Sequence, residues 1–249
     1  MKRQKIRRFL LILAWLLFPI VIWYFSPYLI IMGALEGIIN GSFLVFVSML
    51  VGSIVFGRLF CGYLCPMAGL QECAFGVNEK APKQGWKNYI KYFIWAIWLT
   101  IVIITFLSKG KIVRVDFFYQ TDHGISISNI YGYIIYYIVA FLVLVPSVLF
   151  GKRVFCHYLC WVAPFMVIGT AIRRVLHLPG LHIKADTGKC ISCKQCNKHC
   201  PMSLDVSSMV QKGSVDSYEC IQCGECVDSC PKKVLKYSLK IEKRKTDGK

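Results

Sequence analysis

The chain has 249 residues, 30 lysines and arginines against 13 acidic residues, 13 cysteines and a mean hydropathy of +0.53. A hydrophobic content of 56% is too high for an ordinary soluble domain, and the excess lies ahead of a cysteine-rich end, so the composition selects a membrane protein. The formal charge of +17 does not require nucleic acid as a partner, because much of it sits in Lys2, Arg3, Lys5, Arg7, Arg8, Lys152, Arg153, Arg173 and Arg174 beside apolar segments, where it is expected to meet lipid headgroups.

Taken in order, Phe9 to Ile31 is 23 residues without a charge behind the leader MKRQKIRR. Its length and the lack of a small-residue cleavage site read as a retained span, not a signal peptide. Ile38 to Phe56, Tyr89 to Leu107 and Ile130 to Phe150 supply three further spans, with Lys91 the one charge among them. The leader and the Gly57 to Asn88 loop, with Arg58, Lys80, Lys83 and Lys87, are basic, while the 32–37 turn is not. Both termini are therefore expected in the cytoplasm of a multi-pass protein of the cell membrane. Glu36 is expected to reach water beyond the first span, and Trp23, Tyr24, Tyr133 and Tyr137 to form an interfacial belt. Trp161 to Leu178 reads as an interfacial helix closing on Arg173 and Arg174. The chain divides into a membrane domain at 1–178, a linker at 179–186 opening on Pro179 and Gly180, a cysteine-rich module at 187–238 and a basic, disordered tail at 239–249.

An internal repeat runs through the membrane domain. Phe60-Cys61-Gly62-Tyr63-Leu64-Cys65 follows the second span, and Phe155-Cys156-His157-Tyr158-Leu159-Cys160 follows the fourth. Two parallel hairpin repeats would bring the two CxxxC pairs together. Cysteines four apart share a helix face, so Cys61, Cys65, Cys156 and Cys160 form a candidate four-sulfur site for an additional iron or iron-sulfur centre. The plainer alternative is that these thiols pack helices, as Cys73 is expected to do. No histidine lies in the four spans, which excludes a haem held between them. His157 is either a partner of the four-sulfur site or a satisfied interfacial side chain.

The cysteine-rich module writes CxxCxxCxxxCP twice: Cys190, Cys193, Cys196, Cys200-Pro201, and Cys220, Cys223, Cys226, Cys230-Pro231. In two-cluster iron-sulfur ligation the fourth cysteine of each run serves the other cube. Cys190, Cys193, Cys196 and Cys230 are thus expected to hold one 4Fe-4S cluster, and Cys220, Cys223, Cys226 and Cys200 a second. A disulfide knot or a zinc ribbon does not account for the third cysteine at the same step or the duplicated proline. About fifty residues bury too little apolar surface to fold alone, so the metal-thiolate bonds are expected to supply much of the folding energy.

The module resembles the two-cluster bacterial ferredoxins from Lys189 to about Ser238. With GRLFCGYLCP and its echo at Cys156 to Cys160, the chain resembles the NapH, MauN and NosR type of membrane iron-sulfur proteins. Trp161 departs from that pattern where a proline is usual, with Pro164 three residues late. The resemblance implies a membrane all-α fold of four transmembrane helices in two parallel hairpin repeats, joined to a small α+β two-cluster ferredoxin-like domain. It implies an electron-transfer subunit of a quinol-dehydrogenase-like oxidoreductase, with quinone or a redox protein as partner. A CcoG-like metal (copper) reductase and a redox-sensing membrane regulator are the alternatives. No nucleophile and base pair is recognisable, so no catalytic residue is assigned.

Overall fold

Proline sets the first breaks in the chain. In the computed structural model, which describes residues 2–82, 85–215 and 217–239, helix α1 (Lys2–Leu16) gives way to a short α2 (Phe18–Val21) with Pro19 in its first turn. Ser26 precedes Pro27, which disfavours helical backbone there. Ser26 is extended, and its hydroxyl accepts the Leu29 amide to cap α3 (Pro27–Glu36). Gly37 closes α3 at a φ of 73°, and β1 (Ile38–Asn40) follows. The Asn40 side chain then accepts the Phe43 amide and starts α4 (Gly41–Phe56).

Two short helices, α5 (Leu59–Tyr63) and α6 (Pro66–Cys73), lead to α7 (Ile90–Lys109). After β2 (Arg114–Asp116), which pairs parallel with β1, come α8 (Ile130–Phe150), α9 (Val154–Tyr158) and α10 (Ala163–Val175). The cysteine-rich module contains β3 (His182–Ala185), α11 (Gln195–Lys198), α12 (Val206–Gln211), α13 (Glu225–Asp228) and β4 (Leu235–Ser238). Strands β3 and β4 pair antiparallel, His182 opposite Ser238. Lys83 and residues 240–249, most of the expected basic tail, lie outside the described residues.

The count of four spans expected from the sequence is not confirmed. Among the described residues, Trp86–Lys109 and Ile130–Phe150 are long and apolar enough to cross a membrane. A third qualifies if Lys2–Leu16 and Phe18–Phe25, bent by 59°, count as one. The segment read as a second span is a three-residue strand followed by a 16-residue helix, short of the ~20 residues that a hydrocarbon core takes. The linker reading also shifts, since four of its residues, His182–Ala185, form β3 within the module's sheet.

One continuous apolar core joins the helical part to the module. It runs from Leu11, Phe18 and Phe46 through Met67, Phe155 and Met166 to Ile183, Met202 and Ile221. Helix α10 packs along α4, and α1 along α6. The basic leader and Arg153 are drawn into this junction: Arg3 pairs with Asp228, Arg7 with Glu72 at 2.6 Å and Glu225 at 3.0 Å, and Arg153 with Glu72. For Arg3, Arg7 and Arg153 the headgroup reading is therefore corrected to protein carboxylates.

Candidate metal centres

The two cysteine runs repeat their backbone conformation as well as their letters. Ser192 and Gln222, Lys194 and Gly224, and Ser203 and Lys233 occupy matching steps, and all six have positive φ. Left-handed backbone at a non-glycine residue costs about 1–2 kcal/mol, so the surroundings must impose it five times. Gly224 is required on a second ground, because a Cβ there would lie 2.5 Å from the Tyr237 hydroxyl.

These turns aim the sulfurs inward. One small cavity is lined by Cys190, Cys193, Cys196 and Cys230, among Ile191, Val210 and Leu235. Another is lined by Cys220, Cys223, Cys226 and Cys200, among Ile183, Met202 and Ile221. The structure thus gathers the thiols in the crossed sets. The first set is the more open, with Cys193 exposed; in the second, Cys223 and Cys226 are buried. Burial pushes the Cys200 and Cys220 thiols up to about 11 and Cys223 to about 12. Such thiols are deprotonated at neutral pH when a cationic iron core compensates their charge. Four sulfurs in an apolar lining fit a 4Fe-4S cube by donor chemistry. Among the described residues no three Cys, His, Asp or Glu side chains converge on a single-ion site, so the sets are recognised from the shared cavities.

Cys61, Cys65, Cys156 and Cys160 are all buried, at 3–5% exposure. Helices α5 and α9 have equal length, and in each the second cysteine's amide returns to the residue before the first, Cys65 to Phe60 at 3.0 Å and Cys160 to Phe155 at 2.9 Å. The pairs do not share one helix face, as the spacing had implied. Cys65 follows a break at Leu64 and caps α6, so each pair spans an elbow. The four are nonetheless close enough that Cys61, Cys156 and Cys160 add to burial in raising the Cys65 thiol well above its ordinary value.

The shell of this site was not legible beforehand. Gln71 donates to Cys156 Sγ at 3.1 Å and accepts from Ser147 Oγ at 3.2 Å. Arg58 and Arg153 stand at the same step, three residues before Cys61 and Cys156, and both are buried. Arg58 pairs with Glu219 at 2.7 Å, and Glu219 also takes Lys91 at 2.7 Å. Arg153 donates to the Cys61 carbonyl at 3.0 Å. Among the described residues, the Nε of each arginine and both ring nitrogens of His157 make no hydrogen bond; the Met202 backbone approaches His157 without normal geometry. Burial holds His157 neutral, its pKa down to about 4. Cys73, expected to be packed, is exposed. The one sequence signal for the shell is the arginine recurring at the same step of the repeat.

The four-thiol site and the second crossed set touch. A Cβ on Gly62, between Cys61 and Cys65, would lie 2.4 Å from the Ile221 carbonyl. Tyr63 Oη and Gln4 Nε2 both donate to the Cys223 carbonyl, at 3.2 and 3.1 Å.

Residues 182–231 match the family model described as a 4Fe-4S dicluster domain. The chain carries 4Fe-4S ferredoxin-type domains. A second model, a 4Fe-4S binding domain, matches twice, over 41–84 and 132–179, and each match contains one CxxxC pair. Two uncharacterized proteins of Methanocaldococcus jannaschii, MJ0749 and MJ0750, are each 26% identical, over 74% and 72% of this chain and 70% and 73% of their own. The "Putative electron transport protein YccM" of Escherichia coli K12 is 25% identical over 76% of this chain and 54% of its own length, so the chain spans about half of that relative. No solved structure matches. Together with the domains, the YccM likeness supports iron-sulfur electron transfer, and the apolar helices are consistent with membrane association.

Proposed function

We propose that this protein is a membrane-bound electron relay of the NapH, MauN and NosR kind, working between the quinone pool or a membrane redox partner and a soluble cytoplasmic carrier. Cys190, Cys193, Cys196 and Cys230 hold one 4Fe-4S cube, and Cys220, Cys223, Cys226 and Cys200 the other. Cys61, Cys65, Cys156 and Cys160 hold an additional iron-sulfur centre. When bound, such groups supply one-electron exchange. The observation that carries the reading is the contact of Gly62 with Ile221, which leaves no layer of protein between the four-thiol site and the second set.

The chain's own residues do the rest. Arg58 and Arg153 offer buried positive charge beside the four thiols, and the apolar lining excludes water from the second set. A cavity of about 480 Å³ lies where α1, α6 and the module meet, and its lining mixes Leu11, Ile12 and Phe75 with Arg8, Lys152 and His199 and with the carboxylates of Glu72, Glu79 and Glu225. The apolar side chains suit a quinone's ring and tail, and the cationic and imidazole groups its oxygens. Burial of all four CxxxC thiols favours a resident centre over a passing metal ion, which needs an open position.

The test uses the full chain in liposomes, reduced anaerobically and mixed with a water-soluble quinone analogue in a stopped-flow spectrometer. Oxidation of the iron-sulfur absorption within milliseconds to seconds is expected. Iron-replete protein that no quinone analogue oxidises would refute the quinone reading. Loss of copper reduction in Cys61→Ser/Cys65→Ser, with both cubes intact, would instead support the metal-reductase alternative.

A further inference from the structure

The module from His182 to Leu239 contains eight lysines, no arginine and six carboxylates. Three of the six face the helical part: Glu219 pairs with Arg58 and Lys91, Glu225 with Arg7 and Arg8, and Asp228 with Arg3. Asp205 caps α12 by accepting from Ser208, and Asp186 pairs with Lys189 at 3.1 Å. Asp216 lies outside the described residues. Among the described residues, three of the module's five carboxylates turn toward the junction while Asp186 and Asp205 are exposed, and all eight lysines are exposed.

The outward face is also where the first cysteine set reaches the surface. Cys193 is exposed, and Ile191 beside it is 57% exposed, a large apolar side chain at the cavity's edge. Lys194 and Lys232 line that cavity, and no carboxylate does. Lys189 precedes Cys190 in the chain. Lys212 follows Gln211, whose amide reaches Ser192 Oγ at 3.4 Å. All four lysines are exposed. An apolar centre inside a cationic rim is the anatomy of a protein docking patch, in which the rim steers and orients a partner of opposite charge.

We propose that this face docks a soluble, acidic one-electron carrier protein. The proposal rests on reading the crossed cysteine sets as 4Fe-4S sites, because it is the exposed set that the partner covers. The second set is closed off by its contacts with Gly62, Tyr63 and Gln4. An anionic bilayer is the competing source of negative charge.

The experiment uses the full chain in nanodiscs of zwitterionic lipid, prepared anaerobically, with an acidic plant-type ferredoxin as probe and basic cytochrome c as control, read by surface plasmon resonance. Binding of the ferredoxin is expected to weaken as salt rises. Lys189→Glu/Lys212→Glu is expected to weaken it about tenfold, the scale of two rim charges reversed. Lys194→Glu/Lys232→Glu should do the same, and the first double variant leaves the turns between cysteines untouched. Unchanged affinity in both variants, or equal binding of cytochrome c, overturns the proposal. So does a parallel run over phosphatidylglycerol vesicles in which both variants lose vesicle binding while ferredoxin binding is unchanged, a result that assigns the face to the membrane. Iron measured on the same samples separates the two readings: iron-replete protein that does not bind the probe refutes this proposal and leaves the cluster reading standing, whereas protein that stays iron-free under reconstitution refutes the cluster reading and this proposal with it.

Discussion

Gly62 stands against Ile221 so closely that an added Cβ would lie 2.4 Å from its carbonyl oxygen and 3.5 Å from the Cys223 α-carbon. Backbone meets backbone there, so neither side has a flexible side chain to move aside. Gly62→Ala is expected to push the Ile221–Cys223 segment away and to destabilise the junction by about 1–3 kcal/mol, the usual cost of overpacking. Thermal melting of detergent-solubilised protein should fall, and iron should be lost from the second set while the first retains it. An unchanged melt with full iron would mean that the two segments part without cost.

Glu219 is the hinge of a second contact. Burial pushes its carboxyl up, but Arg58 and Lys91 outweigh that and hold it down to about 2. Glu219→Gln leaves two buried cations without their carboxylate, a change that costs about 3–5 kcal/mol where one partner of a buried pair is removed. Denaturant titration should show that loss, while Lys236→Ala on the open surface moves stability by less than about 0.5 kcal/mol.

The Glu72 carboxyl gives the junction an acid limit. Burial raises it, yet Arg153 and Arg7 together hold it below its ordinary value of 4.5. A depressed folded pKa means stability that is present above the unfolded value and lost as pH falls through the folded one. Wild type should therefore exceed Glu72→Gln in stability at neutral pH, with the gap closing below about pH 4.5. A gap that stays constant down to pH 3 would show that Glu72 acts by shape and not by charge.

The crossed cysteine sets were legible because ligand spacing is itself the constraint: a loop of two residues between thiols leaves few ways to wrap them. The first span was not, although its breakers are in plain view. Counting apolar residues from Phe9 to Ile31 ignores Pro19 and Pro27, and Ser26 before Pro27 both ends one helix and caps the next. Pro66 likewise opens α6 and takes Cys65 off the helix that carries Cys61. The leader misled for a different reason. A basic helix end looks the same whether it meets lipid phosphate or a carboxylate, and the carboxylates that Arg7 meets lie 65 and 218 residues away. Periodicity cannot see such pairs.

Gln71 offers the sharpest test of the four-thiol site. Its amide donates to Cys156 Sγ at 3.1 Å, and its oxygen is fixed by Ser147, so the donor is held in place before any metal binds. Hydrogen bonds to a ligating sulfur stabilise the more negative, reduced state and raise the potential. A bond to a charged acceptor is worth about 1.5–3 kcal/mol, and because the sulfur accepts it in both redox states only its change between them moves the potential, by at most roughly 60–130 mV for one electron. Gln71→Leu should therefore lower the potential of the centre at Cys61, Cys65, Cys156 and Cys160, by up to that amount, in an EPR-monitored redox titration. The signals of the two ferredoxin-type cubes should stay where they are, because Gln71 touches neither set. A spectrum with no third signal in iron-replete wild type would remove the centre, and a shift shared by all three signals would show that the substitution disturbs the fold.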